Sequence, residues 1–325
     1  MDTSRLLTLL EEHASTGEYL SGEELSKLLK ISRTAVWKQI NKLREEGYEF
    51  DAVSRRGYRL LHAPDRMTAE RLERYLQTKL YGRKLQLLSV TSSTQAVAKE
   101  LAEEGEPEGT LVFAEQQTVG RGRQGRSWHS PPGKGIWMSV VLRPELPLRS
   151  APQLTLMTAV AVCQAIRKVT GVESGIKWPN DLLVGGKKVC GILLESAGED
   201  TRMKYCIAGI GIDVNLEQED LPGHLQGIAT SLKLAAGQTQ DRAELAAEVL
   251  LRMEQLMELY QSEGFQPIKL LWEDMSVTIG RGVSVAGHQG MNTGRAVGLD
   301  DSGGLVILDE SGALATIFSG ELELD

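Results

Sequence analysis

Three arginines alternate with glycines in Gly120-Arg121-Gly122-Arg123-Gln124-Gly125-Arg126. Guanidinium groups are planar and always charged, so a loop bearing several of them can wrap a phosphate or carboxylate. The glycines let the backbone come close to such a ligand. The segment matches GxGxxG, but a dinucleotide fold needs a helix to begin inside that motif. Arg126-Ser127-Trp128-His129-Ser130-Pro131-Pro132-Gly133 cannot be that helix. A phosphate loop of the Gly-Lys-Ser/Thr kind is also missing. What remains is a mobile anion-binding loop, or more plainly a solvated connector. The density of arginine, with Trp128 beside it, favours the first.

Three further clusters carry polar chemistry. Lys177-Trp178-Pro179-Asn180-Asp181 lies between two strand-like pieces, so it reads as a turn presenting an ammonium, an amide and a carboxylate together. The plainer reading is an Asn-Asp turn with a core tryptophan. Ser92-Ser93-Thr94-Gln95 follows a strand-like run and opens a helix, where hydroxyls and helix N–H groups grip a polar ligand or merely cap the helix. Gly209-Ile210-Gly211-Ile212-Asp213-Val214-Asn215 spaces glycines along a strand, which suits close approach to something flat.

Elements that position these clusters fall into three groups. Residues 1–62 read as three helices and a hairpin. Ser21 and Glu24 have capping-box spacing, Ser32 is a second N-cap, and Val36, Ile40 and Leu43 share a face of a helix ending at Gly47. The hairpin turns at Arg55-Arg56-Gly57. Residues 63–270 alternate helices (69–80, 94–104, 152–169, 242–263) with strands (85–90, 110–114, 135–142, 175–177, 182–184, 188–195, 204–215), a mixed α/β pattern. Residues 271–325 hold short strands, beginning with 277–279, separated by Gly and Asp turns, which suits a small β barrel. The whole is an α+β multidomain chain.

The N-terminal pattern is that of a winged helix-turn-helix. With the apolar face inward, Arg33, Thr34, Trp37, Lys38 and Asn41 point outward toward a major groove, and Arg55 and Arg56 at the wing tip meet backbone phosphate. A helical protein-interaction domain is the alternative. The outward tryptophan, needing a partner surface, favours DNA.

Total charge at first sight opposes that. The 325 residues carry 36 Lys and Arg against 44 Asp and Glu, a net −8, with 41% hydrophobic and 25% charged residues. By segment, residues 1–62 hold 10 basic and 10 acidic groups, residues 63–268 hold 23 and 25, and residues 269–325 hold 3 and 9. The acidity therefore sits mostly at the C-terminal end, and residues 30–60 are locally +4. No apolar run reaches the ~18 residues of a membrane span, and the N-terminus does not read as a signal peptide. Cys163, Cys190 and Cys206 form no CxxC, which argues against disulfides and zinc and for a reducing cytoplasm. The five histidines show no i,i+4 pairing, so no metal site is expected.

Together these residues resemble the bifunctional biotin–protein ligases that also repress biotin-synthesis genes, the BirA type. The resemblance covers essentially the whole chain. It includes Ser93-Thr94 before a helix, Gln117 ahead of the arginine–glycine loop, Lys177-Trp178-Pro179-Asn180-Asp181, and Lys188-Val189-Cys190-Gly191-Ile192-Leu193-Leu194-Glu195. It implies a central domain of the biotin/lipoate ligase type and a C-terminal SH3-like β barrel. It also implies two steps: biotin's carboxylate attacks the α-phosphate of ATP, accompanied by Mg2+, to give biotinyl-5′-adenylate. A lysine of the biotin carboxyl carrier protein, a subunit of acetyl-CoA carboxylase, then displaces AMP.

By the same resemblance, Ser93, Thr94, Gln95, Gln117, Arg121, Gly122, Arg123 and Lys177 bind biotin, and Arg123, Arg126, Trp128, Lys177, Asn180 and Asn215 hold ATP and adenylate. Arg123, Lys177 and Asp181 are the catalytic candidates, Asp181 to orient or deprotonate the acceptor lysine. No tightly bound prosthetic group is expected. The adenylate-bound form is expected to dimerise on operator DNA of biotin synthesis or transport genes. Two departures stand out: Cys190 where the family commonly has Ala, and Asp213 where it usually carries Asn near the nucleotide. A carboxylate at 213 weakens anion binding unless it points away. Two other readings remain, a non-catalytic biotin-sensing repressor and a ligase for a related acyl cofactor such as lipoate. The retained Arg123 and Lys177 weigh against the first, and the arginine–glycine loop against the second.

Overall fold

A computed structural model describes residues 4–14, 17–45, 47–53, 56–62, 65–199, 201–287 and 290–324. The chain divides into two compact units, 1–66 and 67–325.

In the first unit, α1 (Ser4–Ala14), α2 (Gly22–Leu29) and α3 (Arg33–Glu45) precede an antiparallel hairpin of β1 (Glu49–Val53) and β2 (Gly57–His62). The caps form as their spacing predicts. Glu24 N–H donates to Ser21 Oγ at 3.1 Å while Ser21 N–H donates to Glu24 Oε2 at 2.8 Å, so two orphan donors are satisfied reciprocally. Ser32 Oγ accepts from Ala35 N–H at 3.1 Å. Leu6, Leu10, Leu25, Val36, Ile40, Leu43, Tyr48 and Leu60 form the core. Gly57 is required where the wing crosses Leu20: its φ is +111°, and a Cβ there would lie 2.1 Å from the Leu20 carbonyl oxygen.

The second unit contains α4 (Ala69–Tyr75), β3 (Leu85–Leu88), α5 (Thr94–Glu103), β4 (Leu111–Ala114), β5 (Gly135–Leu142), α6 (Ala151–Thr170), β6 (Gly175–Lys177), β7 (Asp181–Val184), β8 (Lys187–Glu199) and β9 (Arg202–Asp213). It continues through α7 (Leu232–Ala236), α8 (Arg242–Glu263) and α9 (Gln266–Asp274) to β10 (Gly282–Gly287), β11 (Gly290–Leu299), β12 (Leu305–Leu308), β13 (Leu314–Ile317) and β14 (Glu321–Leu324). The seven-stranded sheet runs β3-β4-β5-β9-β8-β7-β6, antiparallel except for β3 beside β4. Helix α6 is apolar nearly all round, as a helix buried between layers must be, and shares one large core with α8, α9 and the sheet. The last five strands form an antiparallel sheet, β13-β12-β11-β10-β14, whose Val283, Val285, Leu305 and Leu322 join that same core. Among the described residues no helix is long and apolar enough to cross a membrane.

Several elements differ from expectation. The helix from Ala69 stops at Tyr75 rather than 80. The Glu254 carboxylate takes the N–H groups of Lys79 and Leu80, each at 2.7 Å, and so turns the chain. Residues 277–279 do not join the last sheet. The segment instead pairs with the outer edge of β6, through Ile176 N–H to the Met275 carbonyl at 2.9 Å and Val277 N–H to the Ile176 carbonyl at 3.0 Å. Helices α7 and α9 and strand β14 were not expected.

Candidate active site

The floor of the site is made by glycines. Gly191 on β8 pairs with Gly211 on β9. Trp128 lies against both: a Cβ on Gly211 would sit 2.6 Å from the indole Nε1, and one on Gly191 2.8 Å from the ring. The flat object expected over the glycine-spaced strand is therefore, in the first instance, the protein's own indole. Lys188 Nζ lies 5.2 Å from the Trp128 ring centre. Above this floor is a cleft of about 860 Å³.

One end of the cleft is neutral and hydrogen-bonded. Ser93 occupies the N-cap position of α5 yet makes no side-chain cap bond, so its buried hydroxyl is left facing the cleft. Thr94 N–H donates to Gln117 Oε1 at 2.9 Å, and Gln117 Nε2 donates to Ser130 Oγ at 2.9 Å. The Thr94 and Ser139 hydroxyls are 2.9 Å apart, and Ser139 Oγ donates to Gln95 Oε1 at 3.1 Å. Gln95 Nε2 donates to the Ile207 carbonyl at 3.2 Å. The amide of Gln95 is thus held by the sheet, above Gly209, where a Cβ would come 2.4 Å from Gln95 Oε1.

The arginine loop is folded on itself. Gly122 N–H donates to the Arg126 carbonyl at 2.7 Å, and Trp128 N–H to the Gly120 carbonyl at 2.8 Å. This aims the three guanidinium groups differently. Half-buried Arg123 donates from Nη1 to Asn180 Oδ1 at 2.9 Å, and burial lowers its pKa, partly offset by Asp181. Exposed Arg126 pairs with Glu321 on β14, which holds that carboxyl below its usual range. Arg121 is exposed on the cleft rim and makes no ion pair among the described residues.

The Lys177–Asp181 turn is clamped on both sides. Trp178 N–H donates to Thr278 Oγ1 at 3.0 Å, so the segment before β10 fixes the outer side. Asn180 Nδ2 donates to the Ile192 carbonyl at 2.8 Å, fixing the inner side and leaving Oδ1 for Arg123. The peptide bond between Trp178 and Pro179 is cis. Asp181 pairs with Lys188 at 2.7 Å. Lys177 lines the cleft and makes no ion pair among the described residues.

The structure therefore brings Ser93, Thr94, Gln95, Gln117, Arg121, Gly122, Arg123, Arg126, Trp128, Lys177, Asn180 and Asp181 to one cleft. It does not bring Asn215 there. Both ends of that amide are taken by the backbone of Gln240, Nδ2 to its carbonyl at 2.9 Å and Oδ1 from its N–H at 2.9 Å. The residue at the end of β9 that does line the cleft is Asp213, 6% exposed, and burial holds its carboxyl well above the usual carboxylate range. Lys188, Ser139 and Glu321 are cleft residues that the motifs did not single out as ligand contacts. Lys188 had its signal in the Lys188–Glu195 run, whereas Glu321 had none. Among the described residues no group of three or more His, Cys, Asp or Glu is arranged to hold a metal ion.

In the first unit, Arg33, Thr34, Trp37 and Lys38 are exposed on α3, Trp37 at 53%. Asn41 is half-buried and accepts from Arg44 at 3.2 Å. Arg56 is exposed, with its guanidinium 4.8 Å from the Tyr19 ring centre. Arg55 lies outside the described residues.

Comparison with known proteins agrees with this division. The Biotin/lipoate A/B protein ligase family matches residues 87–214, an HTH domain matches 5–59, and the Biotin protein ligase C terminal domain matches 278–325. The chain is 46% identical over 317 residues to the bifunctional ligase/repressor BirA of Bacillus subtilis, covering 97% of each chain. It is 30% identical to the protein of the same description from Escherichia coli, covering 98% of this chain and 96% of that one. Among solved structures, the biotin protein ligase from Aquifex aeolicus in complex with biotin and ATP superposes with a TM-score of 0.65 at 33% identity. That match covers 75% of this chain and 99% of the other.

Proposed function

The chain belongs to the biotin protein ligase family, in its bifunctional ligase/repressor branch, and from that membership we infer the chemistry of its cleft and of its N-terminal helix. It is an ATP-dependent ligase that activates biotin as biotinyl-5′-adenylate and transfers it to a carrier lysine, and a biotin-responsive repressor that binds DNA. The observation that carries the ligase reading is that one cleft holds a neutral hydrogen-bonding end, an arginine loop and the ammonium of Lys177, which makes no ion pair among the described residues. That is what a substrate with an uncharged ring at one end and a carboxylate meeting a phosphate at the other requires.

In the first step a carboxylate oxygen attacks the α-phosphate and pyrophosphate leaves. Both anions must approach each other, so preorganised cations are the main device available. Lys177 bridges the carboxylate and α-phosphate, and Arg123, held in place by Asn180, takes the phosphate oxygens. Ser93, with its hydroxyl free of capping, is the leading contact to the ureido ring, supported by the Thr94–Gln117 pair. Arg121 and Gly122 close over the ligand from the rim. Arg126 and Trp128 lie toward the nucleotide, and Mg2+ enters with the triphosphate, whose oxygens are its natural hard ligands.

In the second step the carrier's lysine amine attacks the acyl carbon, AMP leaves, and the amine loses a proton. Asp181 is already committed to Lys188, which favours a role in holding that cation and orienting the amine over one in collecting the proton. The carrier is the biotin carboxyl carrier subunit of acetyl-CoA carboxylase. The free, buried thiols of Cys163, Cys190 and Cys206 suit a reducing cytoplasm.

The N-terminal unit reads operator DNA of biotin synthesis or transport genes as part of a homodimer promoted by adenylate, because two half-sites need a symmetric pair of wings. Arg33, Thr34, Trp37, Lys38 and Asn41 face the major groove and Arg56 the phosphates. Two measurements test the reading: biotin-dependent pyrophosphate release from ATP, and operator binding with and without biotinyl-5′-adenylate. Release that does not depend on biotin defeats the ligase half. Operator affinity and dimerisation unmoved by adenylate defeat the regulatory half.

A further inference from the structure

Tyr19 lies between α1 and α2, in a segment that runs beside the wing. Leu20 and the wing residue Tyr58 exchange two backbone hydrogen bonds of 2.9 Å, so the segment extends the hairpin by one bridge. Leu20 is buried in the core of this unit. Side chains alternate along extended backbone, so its neighbour Tyr19 stands on the opposite, outer face. In the hairpin itself Asp51 pairs with Arg59. Tyr19, Arg59 and Asp51 thus form one row across the outer face. The Tyr19 hydroxyl donates to Asp51 Oδ2, and Arg59 Nη2 donates to the same oxygen at 3.3 Å. Arg56 and Arg59 both lay a guanidinium over the Tyr19 ring, at 4.8 and 4.9 Å from its centre.

The two arginines differ in what balances them. The charge of Arg59 is matched by Asp51. Arg56 is exposed, and its guanidinium makes no ion pair among the described residues. A carboxylate holding Arg56 would occupy its donors and cancel its charge. An aromatic ring holds a guanidinium by its face, which leaves the five N–H donors and the charge to another anion. We propose that Tyr19 is a positioning residue for DNA binding: its ring, anchored by Asp51, holds the Arg56 guanidinium ready for a backbone phosphate. The proposal rests on Arg56 meeting phosphate, as argued above.

A long side chain that is ordered only on binding charges that ordering against affinity. With the ring in place, part of it is complete before DNA arrives. Two consequences separate this role from simple support of the fold. The number of phosphate contacts belongs to Arg56, so loss of the ring lowers affinity and leaves the salt dependence as it was. The ring also acts on DNA only through Arg56, so its loss has no effect on binding once Arg56 is gone. A ring that merely stabilised the hairpin would matter equally with and without Arg56.

The experiment is a double-mutant cycle on the full chain with biotinyl-5′-adenylate bound. Affinity for a duplex carrying the operator of a biotin-synthesis gene is measured against salt for wild type, Tyr19→Leu, Arg56→Ala, the double variant and Tyr19→Phe. Thermal unfolding checks that each is folded, and Tyr19→Met replaces Tyr19→Leu in the cycle if the latter is not. Tyr19→Leu is expected to weaken binding by ~2- to 5-fold, the size of one exposed cation–π contact, with an unchanged salt slope. Tyr19→Phe keeps the ring and should stay within about 2-fold of wild type. In the Arg56→Ala background Tyr19→Leu should add nothing. Wild-type affinity in Tyr19→Leu, an equal loss in both backgrounds, or a Tyr19→Phe as weak as Tyr19→Leu overturns the proposal. Arg56→Ala separates this failure from a larger one. If it leaves affinity and salt slope unchanged, the wing tip does not meet phosphate and the reading beneath the proposal fails as well; if it weakens both while the Tyr19 variants stay silent, only the positioning role is removed.

Discussion

Helix α3 offers Arg33, Thr34, Trp37 and Lys38 to solvent, whereas the cleft of the second unit keeps Ser93, Asn180 and Asp213 at 8% exposure or less. The first surface meets its ligand through charges that water and salt screen. The second meets it through groups whose orientation is set before the ligand arrives, by partners within the fold. Arg123 is aimed by Asn180, which Ile192 holds; Trp128 is seated by two glycines. An exposed surface of this kind loses little when one side chain goes. A preorganised site fails when one support goes.

That contrast can be broken at several points. The largest effect is expected from Arg123→Gln, which removes the guanidinium but not the loop. Adenylate formation should fall by ~100- to 1,000-fold, as for loss of a preorganised donor to a charged transition state, with the carrier step from supplied adenylate much less affected. Pyrophosphate-release kinetics decide it, and a fall under a few-fold would mean that Arg123 is a rim charge. Next comes Gly211→Val. Its side chain would enter the space of the Trp128 indole, so kcat/KM for ATP should drop on the order of 10- to 100-fold through misplacement alone. Unchanged kinetics would show that the glycine floor is incidental.

The N-terminal surface should respond more gently. Arg56→Ala is expected to weaken DNA binding evenly across sequences and to reduce the slope of log affinity against log salt by about 0.9. A sequence-selective loss with unchanged slope would make Arg56 a base reader. The smallest effect belongs to Ser21→Ala, which removes half of the capping box and should cost the first unit about 1 kcal/mol. Calorimetry should show that change while the unfolding of the second unit stays as it was.

The same contrast explains what could be read from the amino-acid order. The Ser21–Glu24 box, the Ser32 cap and the Val36–Ile40–Leu43 face are local, and each forms in place. The arginine loop and the Lys177–Asp181 turn were legible as motifs because their chemistry is unusual at short range. What depends on distant partners was not. The end of α4 is set by Glu254, about 175 residues away in sequence. Arg126 meets Glu321 from a strand with no distinguishing pattern. Asn215 and Asp213 differ in one respect that sequence does not carry: the Gln240 backbone captures the amide and leaves the carboxyl to the cleft. The indole on the glycine floor belongs to the same class, since the glycines announced a flat neighbour without saying which.

The central claim is that this cleft makes and spends biotinyl-5′-adenylate. Intact-mass measurement of a biotin carboxyl carrier domain incubated with the full chain, biotin, ATP and Mg2+ tests it most directly. The account predicts a mass increase of one biotinyl group on a single lysine, absent without ATP and strongly reduced with Arg123→Gln. A carrier whose mass is unchanged, with the folded wild-type chain and all three small molecules present, would contradict it.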